Sequence, residues 1–189
     1  MKHKAKSTEI YSQLITGKYI NKTILNGEDV YSENPLFEEI KINQDEYTKY
    51  YDDIGYELVF ENDYFYLNKE KKEEEEDETF IDKNILKEYV LLTVLQRYML
   101  DNKISIDRTL LDENVGLSPQ QIEPMFSLNK YTNILTLTEM KTLSIKTIEN
   151  VLLNKNIIMY NSKGHFVLTN IGKKFVDYVE AIGSTHLTN

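Results

Sequence analysis

Apolar and aromatic positions along the chain follow two rhythms, a helical one and an alternating one, and the same succession of the two occurs twice. In the first half, Ser7 or Thr8 is expected to cap a helix that carries Ile10, Leu14 and Ile15 and stops at Gly17. Asn26-Gly27 marks a turn, and Pro35 suits the first turn of a short helix bearing Leu36, Phe37 and Ile40. Tyr47, Tyr50, Tyr51 and Ile54 then recur at i, i+3, i+4 and i+7, which predicts a helix N-capped by Asn43 with Glu46 completing a capping box. "YELVF" and "YFYLN" alternate around the three-residue turn "END", the pattern of a β-hairpin. Three helices and a hairpin in that order predict a winged-helix unit over residues 1–68.

Between Lys69 and Glu78 stand seven acids and three lysines with no apolar residue. Such a run buries nothing, so residues 69–81 are expected to be a solvated linker or a frayed helical extension.

The second unit, residues 82–189, opens with Asp82 as N-cap of a long apolar helix through "KNILKEYVLLTVLQRYMLDNK". A short helix is expected between Leu117 and Phe126, with Pro119 in its first turn. Ser144 should cap a helix that buries Ile145, Ile148, Val151 and Leu152 and ends at 154–156. "NIIMY", the turn "NSKG" and "HFVLT" form a second hairpin, after which Thr169 caps a closing helix with Ile171, Phe175, Tyr178, Val179 and Ile182 inward. The predicted class is α+β, mostly α, as tandem winged-helix domains.

Composition narrows the function classes. The 189 residues include no cysteine, which excludes disulfides, thiolate zinc sites and a cysteine nucleophile. Histidines stand at 3, 165 and 186, too scattered to suggest a metal site. No P-loop or dinucleotide glycine motif is present, and the neighbouring acids Asp52-Asp53 and Asp112-Glu113 do not converge as a catalytic pair. No enzyme activity, cofactor or metal is therefore expected. No apolar run is long enough for a bilayer, and "MKHKAKSTEIYSQLITGKY" lacks an apolar signal core, so a cytoplasmic protein is expected.

The net charge of −9 is unevenly spread, with +3 from Met140 onward and −12 before it. An acidic body disfavours unassisted binding to a phosphate backbone but leaves room for local contact through the basic end. A helix followed by a hairpin with a cation at its tip is the geometry of a recognition helix and wing. Lys146, Thr147, Glu149 and Asn150 would face solvent on that helix, with Lys155, Lys163 and His165 on or near the wing. Arginine, the commonest base reader, is absent from this region. Tyr47, Tyr50, Tyr51, Tyr56, Tyr64 and Tyr66 are spaced as core packing requires, and those left exposed would mark a protein interface rather than a base-stacking platform.

"LITGKYI" (14–20) followed by "EYTKYYDDIGYELVFENDYFYL" (46–67) resembles the N-terminal winged helix of the MukE/MksE family, accessory subunits of bacterial condensin-like complexes. The resemblance, which covers most of the chain, implies a non-catalytic subunit that dimerises largely through its first module. The homodimer would clamp the middle of a kleisin (MksF/MukF-like) that bridges the heads of an SMC-like ATPase (MksB/MukB-like). Its work would be chromosome organisation and segregation or plasmid defence, at the nucleoid. It implies DNA contact within the complex through Lys155, Lys163, Lys173 and Lys174, to which the recognition-helix and wing geometry adds Lys146 and His165. A dimer or partner interface is expected at Tyr19, Tyr51, Tyr56, Tyr64 and Tyr66. The alternative is a free-standing winged-helix transcription regulator, against which the arginine-free recognition helix argues.

Overall fold

The computed structural model describes residues 4–61, 63–69 and 83–185, which fall into two compact units, 1–24 with 31–80 and 25–30 with 81–189. About half the chain is helical and its sheets are small and antiparallel, an α+β architecture that is mostly α. The expected linker at 69–81, beyond Lys69, and Asp82 as a cap lie outside the described residues.

In the first unit, α1 (Lys4–Ile15) buries Ile10 and Leu14. It starts earlier than capping chemistry predicts, so Ser7 and Thr8 sit inside it, and Thr8 Oγ1 donates back to the Lys4 carbonyl at 2.9 Å. β1 (Ile20–Asn21) follows, then a ribbon of β2 (Thr23–Leu25) and β3 (Tyr31–Glu33). Asn34 caps α2 (Pro35–Ile42) by accepting from the Leu36 amide at 3.0 Å, with Pro35 in the first turn as expected.

Helix α3 (Gln44–Asp52) follows α2 with only Asn43 between them. Asn43 does not form the expected capping box. Its side chain makes no N-cap bond and instead donates to the Glu39 carbonyl at 3.0 Å, closing the C-terminus of α2. Tyr47 and Tyr51 are buried as the period requires, whereas Ile54 lies past the helix end and is exposed.

β4 (Tyr56–Glu61) and β5 (Tyr64–Lys69) pair in register from Tyr56↔Lys69 to Glu61↔Tyr64, so the loop has two residues rather than the expected three. β1 joins the other edge of β5, with Ile20 opposite Phe65, giving the order β1-β5-β4. Phe65 is fully buried under α2, 5.0 Å from the Phe37 ring and stacked at 4.8 Å on Phe60. The core of the unit joins Ile10, Leu14, Ile20, Phe37, Ile40, Tyr47, Tyr51 and Phe65.

The second unit is organised by α4 (Lys83–Asp101), which buries Val90, Leu91, Leu92, Val94, Leu95, Tyr98 and Met99. At its end Asp101 accepts from Lys130 Nζ at 2.9 Å and Tyr131 Oη at 2.7 Å, and these bonds hold its carboxyl below the ordinary range. Ser118 and Gln121 form a reciprocal capping box on α5 (Pro119–Ile122), which passes into a 3₁₀ turn at Glu123–Ser127. Helix α6 (Asn129–Thr132) and a second 3₁₀ turn (Asn133–Thr138) bring Tyr131 and Leu135 into the core.

Ser144 caps α7 (Ile145–Ile148) through the Thr147 amide at 3.1 Å, and the helix widens into a π turn over Glu149–Leu153. β6 (Ile158–Tyr160) and β7 (Phe166–Leu168) form the second hairpin. All three β7 side chains are buried, because Leu117 bridges Phe166 on the far edge and Leu110 accepts from the Leu168 amide.

Thr169 caps α8 (Asn170–Thr185) as expected, its Oγ1 accepting from the Gly172 amide while donating to the Asn156 and Ile157 carbonyls at 2.7 and 2.9 Å. Ile171, Phe175 and Val176 point inward. Tyr178 does not, being 54% exposed with its ring 5.7 Å from Tyr89; the side chains of Val179 and Ile182 lie outside the described ones.

Candidate functional site

On the second unit, the residues expected to meet DNA occupy the helix from Ile145 to Leu153, the β6–β7 hairpin and the start of α8. Lys146 and Lys174 are exposed; Lys155 and Lys173 are half-buried. Lys146 is exposed on the helix, whereas Thr147 is turned back to donate to the Thr142 carbonyl at 2.9 Å. Glu149 accepts from Tyr160 Oη at 2.6 Å, and burial together with that bond pushes the Tyr160 phenol up to about 12. The acid is thus tied to the hairpin rather than projecting as a bare carboxylate.

The hairpin tip is held more tightly than its sequence suggests. Asn161 Nδ2 donates to the Glu113 carbonyl at 3.0 Å, Lys163 Nζ to the Asn114 carbonyl at 2.6 Å, and His165 Nδ1 lies 2.7 Å from the Val115 carbonyl. Lys163 and His165, two of the expected DNA contacts, therefore secure the 113–115 turn. Gly116 permits this docking. It adopts φ 64°, and a Cβ there would stand 2.5 Å from the Cβ of His165.

Sequence reasoning missed Asp29. This residue lies in the tight loop 25–30, which clusters with the second unit, and its carboxylate takes both donors of Ser162 at the hairpin tip. No sequence signal links two positions 133 residues apart.

On the first unit the structure sorts the tyrosines expected at an interface. Tyr51 is fully buried and belongs to the core; Tyr19 and Tyr64 are nearly so. Tyr19, Tyr64 and Tyr66 form a ring cluster, with Tyr19 5.8 Å from Tyr66 and 6.0 Å from Tyr64, and the Tyr64 and Tyr66 hydroxyls both donate to Glu61. Tyr56 and Tyr66 remain half-exposed, and Tyr11, Ile42, Ile54 and Phe60 are exposed apolar side chains that the sequence reading did not select. Burial, not spacing, separates the two sets.

A groove of about 460 Å³ runs between α1 and α3, lined by Lys4, Ser7, Tyr11, Tyr47, Tyr50 and Tyr51. Tyr47 Oη and Ser7 Oγ share a hydrogen bond at 3.1 Å, and burial raises the Tyr47 phenol. Among the described residues the buried Tyr51 hydroxyl has no hydrogen-bond partner, and burial holds its phenol far above the ordinary range. Tyr51→Phe removes an unsatisfied buried hydroxyl, so urea unfolding should show no loss of stability or a gain of up to about 1 kcal/mol. Tyr47→Phe should cost about 1 kcal/mol in the same experiment, because the hydrogen bond between Tyr47 and Ser7 is lost.

Among the described residues no group of three or more His, Asp or Glu converges to hold a metal, and no helix is long and apolar enough to cross a membrane. The fold and these surfaces define an α+β protein of two mostly helical units, with apolar patches on the first and a thin basic face on the second. The chain matches the family model of the condensin complex protein MksE over residues 5–180, and it belongs to that family. It is thereby an accessory subunit of a condensin-like complex. No curated protein matches it.

Proposed function

We propose that the protein is a non-catalytic, cytoplasmic adaptor of two winged-helix domains. It dimerises through its first unit, clasps a kleisin, and reaches an SMC-like ATPase through that kleisin. DNA contact is added by the second unit once the complex is assembled, in chromosome organisation or plasmid defence.

The family match over 176 residues carries this reading. The exposed Tyr11, Ile42 and Phe60 with half-exposed Tyr56 and Tyr66 supply apolar surface of the kind interfaces use. The −9 net charge and the short basic face support a DNA contact that depends on partners rather than one made alone.

Coexpression with a tagged kleisin-like product of the same operon tests the core of the proposal. Retention of the untagged chain on the tag through washing supports it, and its loss in the flow-through refutes it. For the DNA contact, the double variant Lys146→Glu/Lys174→Glu should fold and bind the kleisin normally. It should weaken duplex binding by the assembled complex about tenfold and flatten its salt dependence by about two phosphate contacts. Unchanged salt dependence would remove this face from the contact.

A further inference from the structure

The loop at 25–30 is built to present one carboxylate. Asn26 Oδ1 accepts from the Glu28 and Val30 amides at 2.9 and 3.0 Å, and the Asn26 carbonyl accepts from the Asp29 amide at 3.1 Å. Asp29 is thereby set at φ 56°, a left-handed conformation that a non-glycine residue adopts only at a cost. Held so, it is only 7% exposed, and its two oxygens accept from the Ser162 amide at 2.6 Å and the Ser162 hydroxyl at 2.5 Å.

A main-chain N–H and a hydroxyl converging on two oxygens of one anion, with a lysine next in sequence, is the donor set by which turns bind phosphate. The turn itself is fixed independently of Asp29, since Asn161 Oδ1 accepts from the Lys163 and His165 amides at 3.1 and 2.9 Å. Lys163 adds positive potential to the same spot, acting on Asp29 across the tip.

We infer that the tip of the second hairpin is an oxyanion site for a phosphate group, formed by the Ser162 amide and hydroxyl beside Lys163, and that Asp29 occupies it as an internal blocking group. With Asp29 in place the tip presents a filled site to a phosphate, and displacement of the 25–30 loop opens it. A phosphodiester of DNA has the charge and the two free oxygens to replace the carboxylate. That identity rests on the DNA contact proposed above, whereas the oxyanion site stands without it.

The test uses the full chain, wild type beside Asp29→Gly. Glycine keeps the left-handed loop without strain and deletes the carboxylate; Asp29→Asn keeps its shape and removes its charge. Titration with inorganic phosphate, followed by amide NMR, should shift the Ser162 resonance to saturation in Asp29→Gly, less in Asp29→Asn, and not in the wild type. A wild-type Ser162 amide that responds as strongly as the variants, or a Gly variant that does not respond while its other amides stay in place, overturns the inference. Duplex binding by the assembled complex is then compared. About tenfold tighter binding by Asp29→Gly, lost again in Asp29→Gly/Lys163→Glu, identifies the phosphate as DNA's. A phosphate response at Ser162 with unchanged duplex binding keeps the oxyanion site and refutes DNA as its ligand.

Discussion

Gly172→Ala is expected to lower the unfolding transition of the second unit by roughly 10–15 °C. Gly172 lies in the first turn of α8, where the helix rests on the strand before it. A Cβ at this position would overlap the Ile157 carbonyl oxygen and stand 2.9 Å from Leu168 Cδ2. The oxygen is main chain and cannot swing away. It already accepts from the Thr169 amide at 3.1 Å and the Thr169 hydroxyl at 2.9 Å, so moving it breaks the cap of the same helix. Overpacking of this kind costs about 3 kcal/mol where the neighbour is rigid. Differential scanning calorimetry reads the shift directly. A transition within about 2 °C of the wild type would mean that α8 does not seat as closely as the structure places it.

Phe65→Asp should abolish folding of the first unit. The ring is fully buried at the centre of the β1-β5-β4 sheet, between Phe37 and Phe60 and opposite Ile20. Removing a buried phenylalanine costs about 3–5 kcal/mol, and an unpaired carboxylate in the same place adds several more. Together these match or exceed the whole stability of a small domain. Hydrogen exchange over residues 4–24, 31–61 and 63–69 should rise to unprotected rates, while Phe65→Leu retains protection at a cost of about 1–2 kcal/mol. Retained protection of β5 in the aspartate variant would show that the sheet does not bury this position.

What the sequence discloses and what it hides divide along physical lines. The Tyr47–Tyr51 spacing and the alternation through "YELVF" and "YFYLN" predict α3 and the first hairpin because burial of one face is a periodic demand. Asn43 misleads because asparagine can cap either end of a helix, and between two abutting helices its side chain serves the first. The single-residue bridge from Leu117 to Phe166 leaves no pattern, since one pair has no period. Lys163 and His165 are legible as basic hairpin residues, but they meet main-chain carbonyls, which every residue carries alike. Asp29 and Ser162 meet only through the fold. Tyr51 shows the same limit in reverse: its spacing marks a buried face, yet nothing in the spacing tells a tyrosine that stays inside from Tyr56 or Tyr66, which reach solvent.

Light scattering on the purified chain, alone and then with the kleisin-like partner, measures the adaptor proposal at its centre. Each chain weighs 22.3 kDa, so the chain alone should elute as a homodimer of about 45 kDa. With the partner it should shift to a complex whose mass requires two copies of this chain. A chain that stays at its own mass with the partner present would contradict the adaptor reading, and a dimer that ignores the partner while holding one duplex sequence tightly would replace it with a DNA-binding regulator.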